Sequence, residues 1–373
     1  MVIKEQDPSD LLTHAEDQVL AAGDDLPQSL WRVRLTLAWK GFKRNWALFA
    51  ENKIGLLGLA IIVSFAALAL SYPLLRSVGP WQDDAVYDPI IGHEAVLEDF
   101  EIVATAADVV DPTVQMDANT AQLFCFGAGP GDTCTIARQP ARPGPDHILG
   151  TDPLGRDIAS QLAFSTRAAF MLGMIAAVVT VVVATIVGSM AAFYGGWIDN
   201  SLMRLADLVL LLPLIPILIV MSGLFQITLP LLGILIGILS GFGGTAIVLK
   251  SQALSIKVKP FIDAARVSGG SNRHLIFKHI IPNVLPLSFL FMVFTVTDAI
   301  SLEATLSFFG LLNVDMSWGI MLNIAQTEGY LRFGLQYWWL LVPGGLAVTL
   351  LAAGFFFVGR AMDEVINPRL RAR

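Results

Sequence analysis

Long uncharged stretches alternate with short charged ones along this chain of 373 residues, and their lengths are those of membrane crossings. About 20 helical residues suffice to cross a hydrocarbon core of about 30 Å. Runs of that length predict six spans. The first lies between Lys53 and Arg76, and the second falls inside the uncharged interval from Ala168 to Ile198. Leu208 to Leu249 holds 42 residues without a charge, too many for one helix. Gln226 to Pro230 supplies the proline and polar side chains of a turn, so a third and a fourth span share that interval. A fifth runs from about Val284 to Phe309 and a sixth from about Phe333 to Gly359. An open sheet edge would leave backbone groups unpaired in lipid, so every span is expected to be helical.

Composition agrees: 55% of residues are hydrophobic, 15% are charged and the mean hydropathy is +0.65, outside the range of soluble domains. The expected fold is an all-α polytopic membrane protein of six transmembrane helices. Lysine and arginine favour cytoplasmic loops. With the N-terminus inside, the N-terminal region carries 7 of them, the second-to-third connection 1, the fourth-to-fifth loop 6 and the tail 4, which is 18 of 24. Both termini are therefore expected in the cytoplasm of a multi-pass protein of the cell membrane. Met1 to Leu30 is polar and acidic and lacks the apolar core of a cleavable signal, so the first span itself is expected to direct insertion. Trp31 to Asn52 mixes aromatic and basic residues at helical spacing and reads as an amphipathic elbow on the inner membrane surface.

These signals divide the chain into a tail and elbow (1–53), a first transmembrane helix (54–75), an extracytoplasmic insertion (76–146), a core with five helices (147–360) and a cytoplasmic tail (361–373). From Ser77 to Asp146 the insertion carries 12 acidic residues against Arg138 and Arg142, and its charge reads as a solvated face. It also holds the chain's two cysteines, Cys125 and Cys134, separated by a glycine-rich stretch. In the oxidising compartment expected on that side, they form a structural disulfide rather than a metal site, for which further ligands are not nearby.

The core's most informative stretch is a cytoplasmic loop, 251–283. Pro260 suits the first turn of a helix, and Asp263 sets negative charge against the positive helix end. Ala264 and Ala265 permit close approach of another protein. Gly269 and Gly270 allow the left-handed backbone that stops the helix, and Ser271 can cap the next. That second helix carries Arg273, Lys278 and His279 beside Leu275, Ile276 and Phe277, and is expected to stop near Pro282.

The run Asp263-Ala264-Ala265, then Gly269, then Ile281-Pro282 and Asn283, resembles the coupling loop of binding-protein-dependent ABC transporter permeases, with Asp263 in place of the usual glutamate. Four further segments are similar to the dipeptide and oligopeptide class of that family. They are His147 to Asp157, Phe193 to Asp207, Glu303 to Gly310 with Ser317-Trp318-Gly319, and Asn367 to Arg371. The insertion is not covered, and Ser165 and the short Leu311 to Met316 segment depart from the pattern. The resemblance implies a non-catalytic half-transporter that pairs with a homologous permease, two cytoplasmic ATPase subunits and an extracytoplasmic solute-binding protein. ATP and Mg would be held by the ATPases, since no Gly-x-x-x-x-Gly-Lys-Ser/Thr loop occurs here. Asp263, Ala264, Ala265, Gly269, Ile281, Pro282 and Asn283 would carry the ATPase coupling. Peptides, oligosaccharides or nickel are the substrates the class offers.

Ionisable residues inside spans by default mark a pathway or a paired site. Asp298 and Glu303 are the candidates; five residues apart, they project about 140° from each other on a helix. Arg167 and Asp207 bracket membrane boundaries and read as anchors. Five histidines show no metal-ligand spacing, and no nucleophile motif stands out, so neither a metal nor a catalytic residue is expected. Nucleic acid is disfavoured by the net charge of −7. The rival reading is a secondary transporter driven by an ion gradient, a class in which inverted repeats and broken helices are common.

Overall fold

A computed structural model describes residues 39–366, except 41, 42, 44, 80, 83–84, 92–95, 112–113, 126, 139 and 146. The tail segments 1–30 and 367–373 and the start of the elbow, 31–38, lie outside the described residues. The chain divides after Lys53. Before that point residues 45–51 are helical, Trp46 stacks on Phe49 at 5.8 Å between ring centroids, and the Lys43 ammonium lies 5.8 Å from the Trp39 ring.

After it, helix α1 (Lys53–Ser77) is the first segment long and apolar enough to cross a membrane. The insertion follows, and here the all-α expectation fails. Strand β1 (Val96–Val103) lies between β2 (Gln115–Asp117), parallel to it, and β3 (Thr133–Arg138), antiparallel, in the order β2-β1-β3. The lipid argument for helices concerned the spans and did not extend to this segment. Helix α2 (Ala118–Phe124) is capped by Asp117, whose side chain accepts from the Asn119 and Thr120 amides. Cys125, at the end of α2, is joined to Cys134 on β3 with the Cα atoms 6.2 Å apart. Ile102, Ala121 and Cys134 form the small buried centre of the insertion.

Helix α3 (Ile158–Tyr194) is the axis of the core, 37 residues and about 55 Å long at 1.5 Å per residue. Next come α4 (Gly196–Leu211) and α5 (Leu214–Leu224), bent by 84° at their junction. The continuous third span predicted from Leu208 is thus not formed. Pro213 has no N–H to continue the ladder, and it holds Leu212 in an extended conformation. Only 11 residues rise beyond the bend, too few for a full crossing.

The fourth segment, Leu229–Lys257, comprises α6 (Leu229–Ser240), a π-turn (Gly241–Thr245) and α7 (Ala246–Lys257). Gly233, Gly237 and Gly241 recur every four residues and lie against α3. A Cβ at Gly237 would stand 2.6 Å from Val179 Cβ and 2.8 Å from the Ala176 carbonyl oxygen. Without side chains on that stripe the two backbones approach closely enough for the Thr180 hydroxyl to donate to the Gly237 carbonyl at 3.2 Å.

The loop then forms α8 (Pro260–Val267) and α9 (Asn272–Leu275), a π-turn (Ile276–Ile280) and α10 (Ile281–Phe308). Helix α11 (Trp318–Thr327), a 3-10 stretch (Tyr330–Tyr337) and α12 (Trp338–Ile366) complete the described chain. A buried hydrogen bond of 2.7 Å between Thr185 and Ser288 joins α3 to α10. Gly58 of α1 meets Gly354 of α12 backbone to backbone. Five crossing-length segments, with the bent α4–α5 pair as a broken sixth, make a polytopic membrane protein.

Candidate functional site

The loop's architecture follows from four or five residues. Lys259 is extended and Pro260 opens α8, as its fixed φ and missing N–H allow. Asp263 lies on the outer face, 3.1 Å from the Arg266 guanidinium. At the other end Gly269 takes φ +85°, its N–H donates to the Arg266 carbonyl, and the Gly270 N–H donates to the Ala265 carbonyl, both at 3.0 Å. This pair of bonds is a Schellman stop. Of the two glycines that permit a left-handed backbone, Gly269 adopts it and Gly270 does not. Gly270 is needed for room, since a Cβ there would meet the Ala265 carbonyl oxygen at 2.7 Å. Ser271 then caps α9 by accepting from the His274 amide at 3.3 Å.

Two apolar side chains seat α8: the fully buried Ile262 and, beside it, the half-buried Ala265 packed against the same cluster. Ile262 is fully buried in a cluster with Leu275, Ile276, Ile280 and Val284 of the following helices, and with Phe193, Leu249 and Ile256. The remaining face points outward. Phe261, Asp263, Ala264, Arg266 and Val267 are all exposed, Val267 at 89%. From α7, the Lys257 ammonium donates to the Ala192 carbonyl at 3.0 Å and lies over the Phe193 ring, while Lys250 pairs with Asp199 of α4 at 2.5 Å. These bonds fix the loop to the ends of α3 and α4.

The second short helix does not end at Pro282, a further correction. Helix α9, the π-turn and α10 run on as one segment, Asn272–Phe308. A proline ring collides with the carbonyl four residues back in a regular helix, and a π-turn just before it shifts the hydrogen bonds by one residue. Thus the Ile281 N–H reaches the Ile276 carbonyl. The Asn283 amide donates to the His279 carbonyl at 2.7 Å. Ile281, Pro282 and Asn283 therefore lie at the hinge where the loop becomes a membrane helix, apart from the exposed face of α8.

Asp298 and Glu303 diverge, as their spacing requires. Asp298 is exposed and lines an open cavity of about 570 Å³ with Pro213, Pro216, Ser240 and Ser301, at the level of the α4–α5 break. Glu303 is buried, accepts from the Ser307 hydroxyl at 2.6 Å and has Ser317 as a second partner. It faces the α10–α11 corner, where Trp318 is buried and its indole N–H donates to the Leu162 carbonyl. The Asn323 amide closes that corner on the Phe308 carbonyl at 2.7 Å.

At the opposite end of α3 from the loop, His147 to Asp157 folds into a buried polar knot. The Asp152 carboxylate accepts from the Leu154 and Arg156 amides, from the Arg156 guanidinium at 2.5 and 2.8 Å, and from Gln161 at 3.0 Å. Asp157 caps α3 through the Ser160 amide and lies 3.1 Å from His147 Nδ1. Sequence reasoning marked this segment only by its resemblance. An Asp-x-x-x-Arg spacing bracketing a glycine was its available signal. The Gly-x-x-x-Gly-x-x-x-Gly stripe on α6 was likewise legible and overlooked.

A family model described as "Binding-protein-dependent transport system inner membrane component" matches residues 184–372, a stretch that includes the loop, its anchoring cluster and the hinge. The chain belongs to that family. Its relatives include a putative peptide transport system permease protein of Brucella suis biovar 1, 31% identical over 232 residues that cover 61% of this chain and 76% of the relative. An oligopeptide transport system permease protein of Escherichia coli K12 is 34% identical over 227 residues, covering 60% and 73%. A dipeptide transport system permease protein of Bacillus subtilis is 30% identical over 241 residues, covering 64% and 73%. As a binding-protein-dependent inner membrane component the chain is a transport subunit, and the insertion lies ahead of the matched family region.

Proposed function

We propose that this chain is one permease half of an ATP-driven peptide importer. It forms the translocation path with a homologous permease, is driven by two cytoplasmic ATPase subunits that hold ATP and Mg, and receives solute from an extracytoplasmic binding protein. Both termini and α8 lie in the cytoplasm, and the insertion lies outside, stabilised there by the Cys125–Cys134 bridge. Membership of the family supports the transport role, and the names of the three relatives support peptides as the solute.

The observation that carries the coupling is the exposed face of α8 above its buried Ile262 anchor. A short helix with a polar and small-residue face fits a groove on another protein, and rigid movement of that helix would move α7 and α10, to which it is tied. Asp263 orients the helix, Ala264 and Ala265 allow contact, and Gly269 holds the turn. Glu303 is a positioning residue of the α10–α11 corner, and Asp298 lies along the path. Replacing Gly269 by leucine forces a side chain into the left-handed region, at about 1–2 kcal/mol, and misorients α8. Purified with its partners in proteoliposomes, Gly269→Leu is expected to keep ATP hydrolysis and lose most peptide uptake. Normal uptake per ATP, or wild-type chain that purifies without an ATPase, would refute the coupling role.

A further inference from the structure

At the insertion end of the core, a second open cavity of about 420 Å³ is lined by Phe164, Arg167 and Met171 of α3, Leu229 of α6, and Asp315 and Met316 of the link between α10 and α11. Its two charged groups are opposite in sign, and both are exposed. Neither makes a hydrogen bond or an ion pair with any described residue, nor do they pair with each other. A cavity lined by one cation and one anion matches a ligand that carries both charges itself. The lipid-anchor reading of Arg167 does not account for an acid across the same cavity.

We infer that this cavity receives the charged ends of a peptide, with the Arg167 guanidinium taking the terminal carboxylate and Asp315 the terminal ammonium. The inference rests on the peptide reading above and adds where the solute is first held. A planar guanidinium presents two parallel N–H donors to a carboxylate, and an ammonium donates to a carboxylate, so both contacts are charge-assisted. Peptides differ in their side chains and share their termini, so termini are what a general peptide site can read. The rest of the lining suits that division: Met171 and Met316 are unbranched and polarisable, and Phe164 and Leu229 add apolar surface, so varied side chains can be accommodated. The volume is within the range of small-molecule sites and fits a short peptide or the ends of a longer one.

The test uses the assembled permease–ATPase complex in nanodiscs without binding protein, titrated with tri-alanine, its N-acetyl form and its C-terminal amide. Wild type is expected to bind tri-alanine about tenfold or more tighter than either blocked peptide, about 1.4 kcal/mol per blocked end. Arg167→Gln is expected to lose that advantage over the amide alone, and Asp315→Asn over the N-acetyl form alone, as in a double-mutant cycle. Each variant's unchanged response to the other blocking group shows that it is folded. Equal binding of free and blocked peptides by wild type, or variants that discriminate as wild type does, would overturn the site. If binding-protein-dependent uptake of tri-alanine persists in proteoliposomes under either of those results, peptide import stands and only this cavity's role falls. Absence of any peptide uptake by wild type overturns both.

Discussion

The two ends of α3 are held by opposite means. At one, Asp152, Arg156, Gln161, His147 and Asp157 bury their polar groups in a knot in which Asp152 alone accepts from two amides and two side chains. At the other, apolar side chains from α3, α7, α8, α9 and α10 converge on Ile262 and leave the outer face of α8 bare. A buried charge network tolerates few arrangements, because each lost partner leaves a desolvated charge. Apolar packing holds a helix in place while leaving its other face free for a partner. The knot therefore specifies one arrangement at its end, and the anchor leaves the exposed face of α8 available for the coupling contact proposed above.

The sharpest way to break this contrast is Asp152→Ala, which strands the buried Arg156 guanidinium. It is expected to cost about 3–5 kcal/mol, read as a large drop in Tm of the detergent-solubilised protein. An unchanged Tm would mean that the knot is not what holds that end. Ile262→Ala comes next. It removes the one fully buried side chain of α8, at about 2 kcal/mol, the low end for such truncations because a short surface helix can settle into the space. Hydrogen exchange should then rise through Pro260–Val267 while the α3 amides near Asp157 stay protected. Uniform exchange across both ends would refute separate control. The smallest stability effect belongs to Val267→Asp on the exposed face, expected within about 0.5 kcal/mol of wild type. Its effect is instead on partnership: ATPase retained through purification should fall several-fold, and full retention would remove Val267 from the docking face.

Helix existence was legible because spans announce themselves by length alone, as α1, α3, α10 and α12 do. The α4–α5 break was not, since Pro213 and Pro216 sit inside an uncharged run where hydropathy detects no change. The Gly269 stop was legible from its chemistry, whereas the role of Gly270 depends on how near the Ala265 carbonyl comes. The insertion's sheet escaped because its strands are short and charged, and the rule that excludes sheets from lipid was applied only to the predicted spans. At the candidate sites, spacing separated Asp298 from Glu303, but only packing placed one at a cavity and the other against Ser307.

By itself the sequence determined the solvent, the approximate number of crossings, the family and the local grammar of the loop, because each of these is written in residues near one another in the chain. Tertiary structure decided which charges are paired. Lys250 finds Asp199 across two helices, while Arg167 and Asp315, 148 positions apart in the numbering, line one cavity and make no ion pair among the described residues. Whether a charge is satisfied depends on distances through space of a few ångströms, and those are set only once the helices have packed.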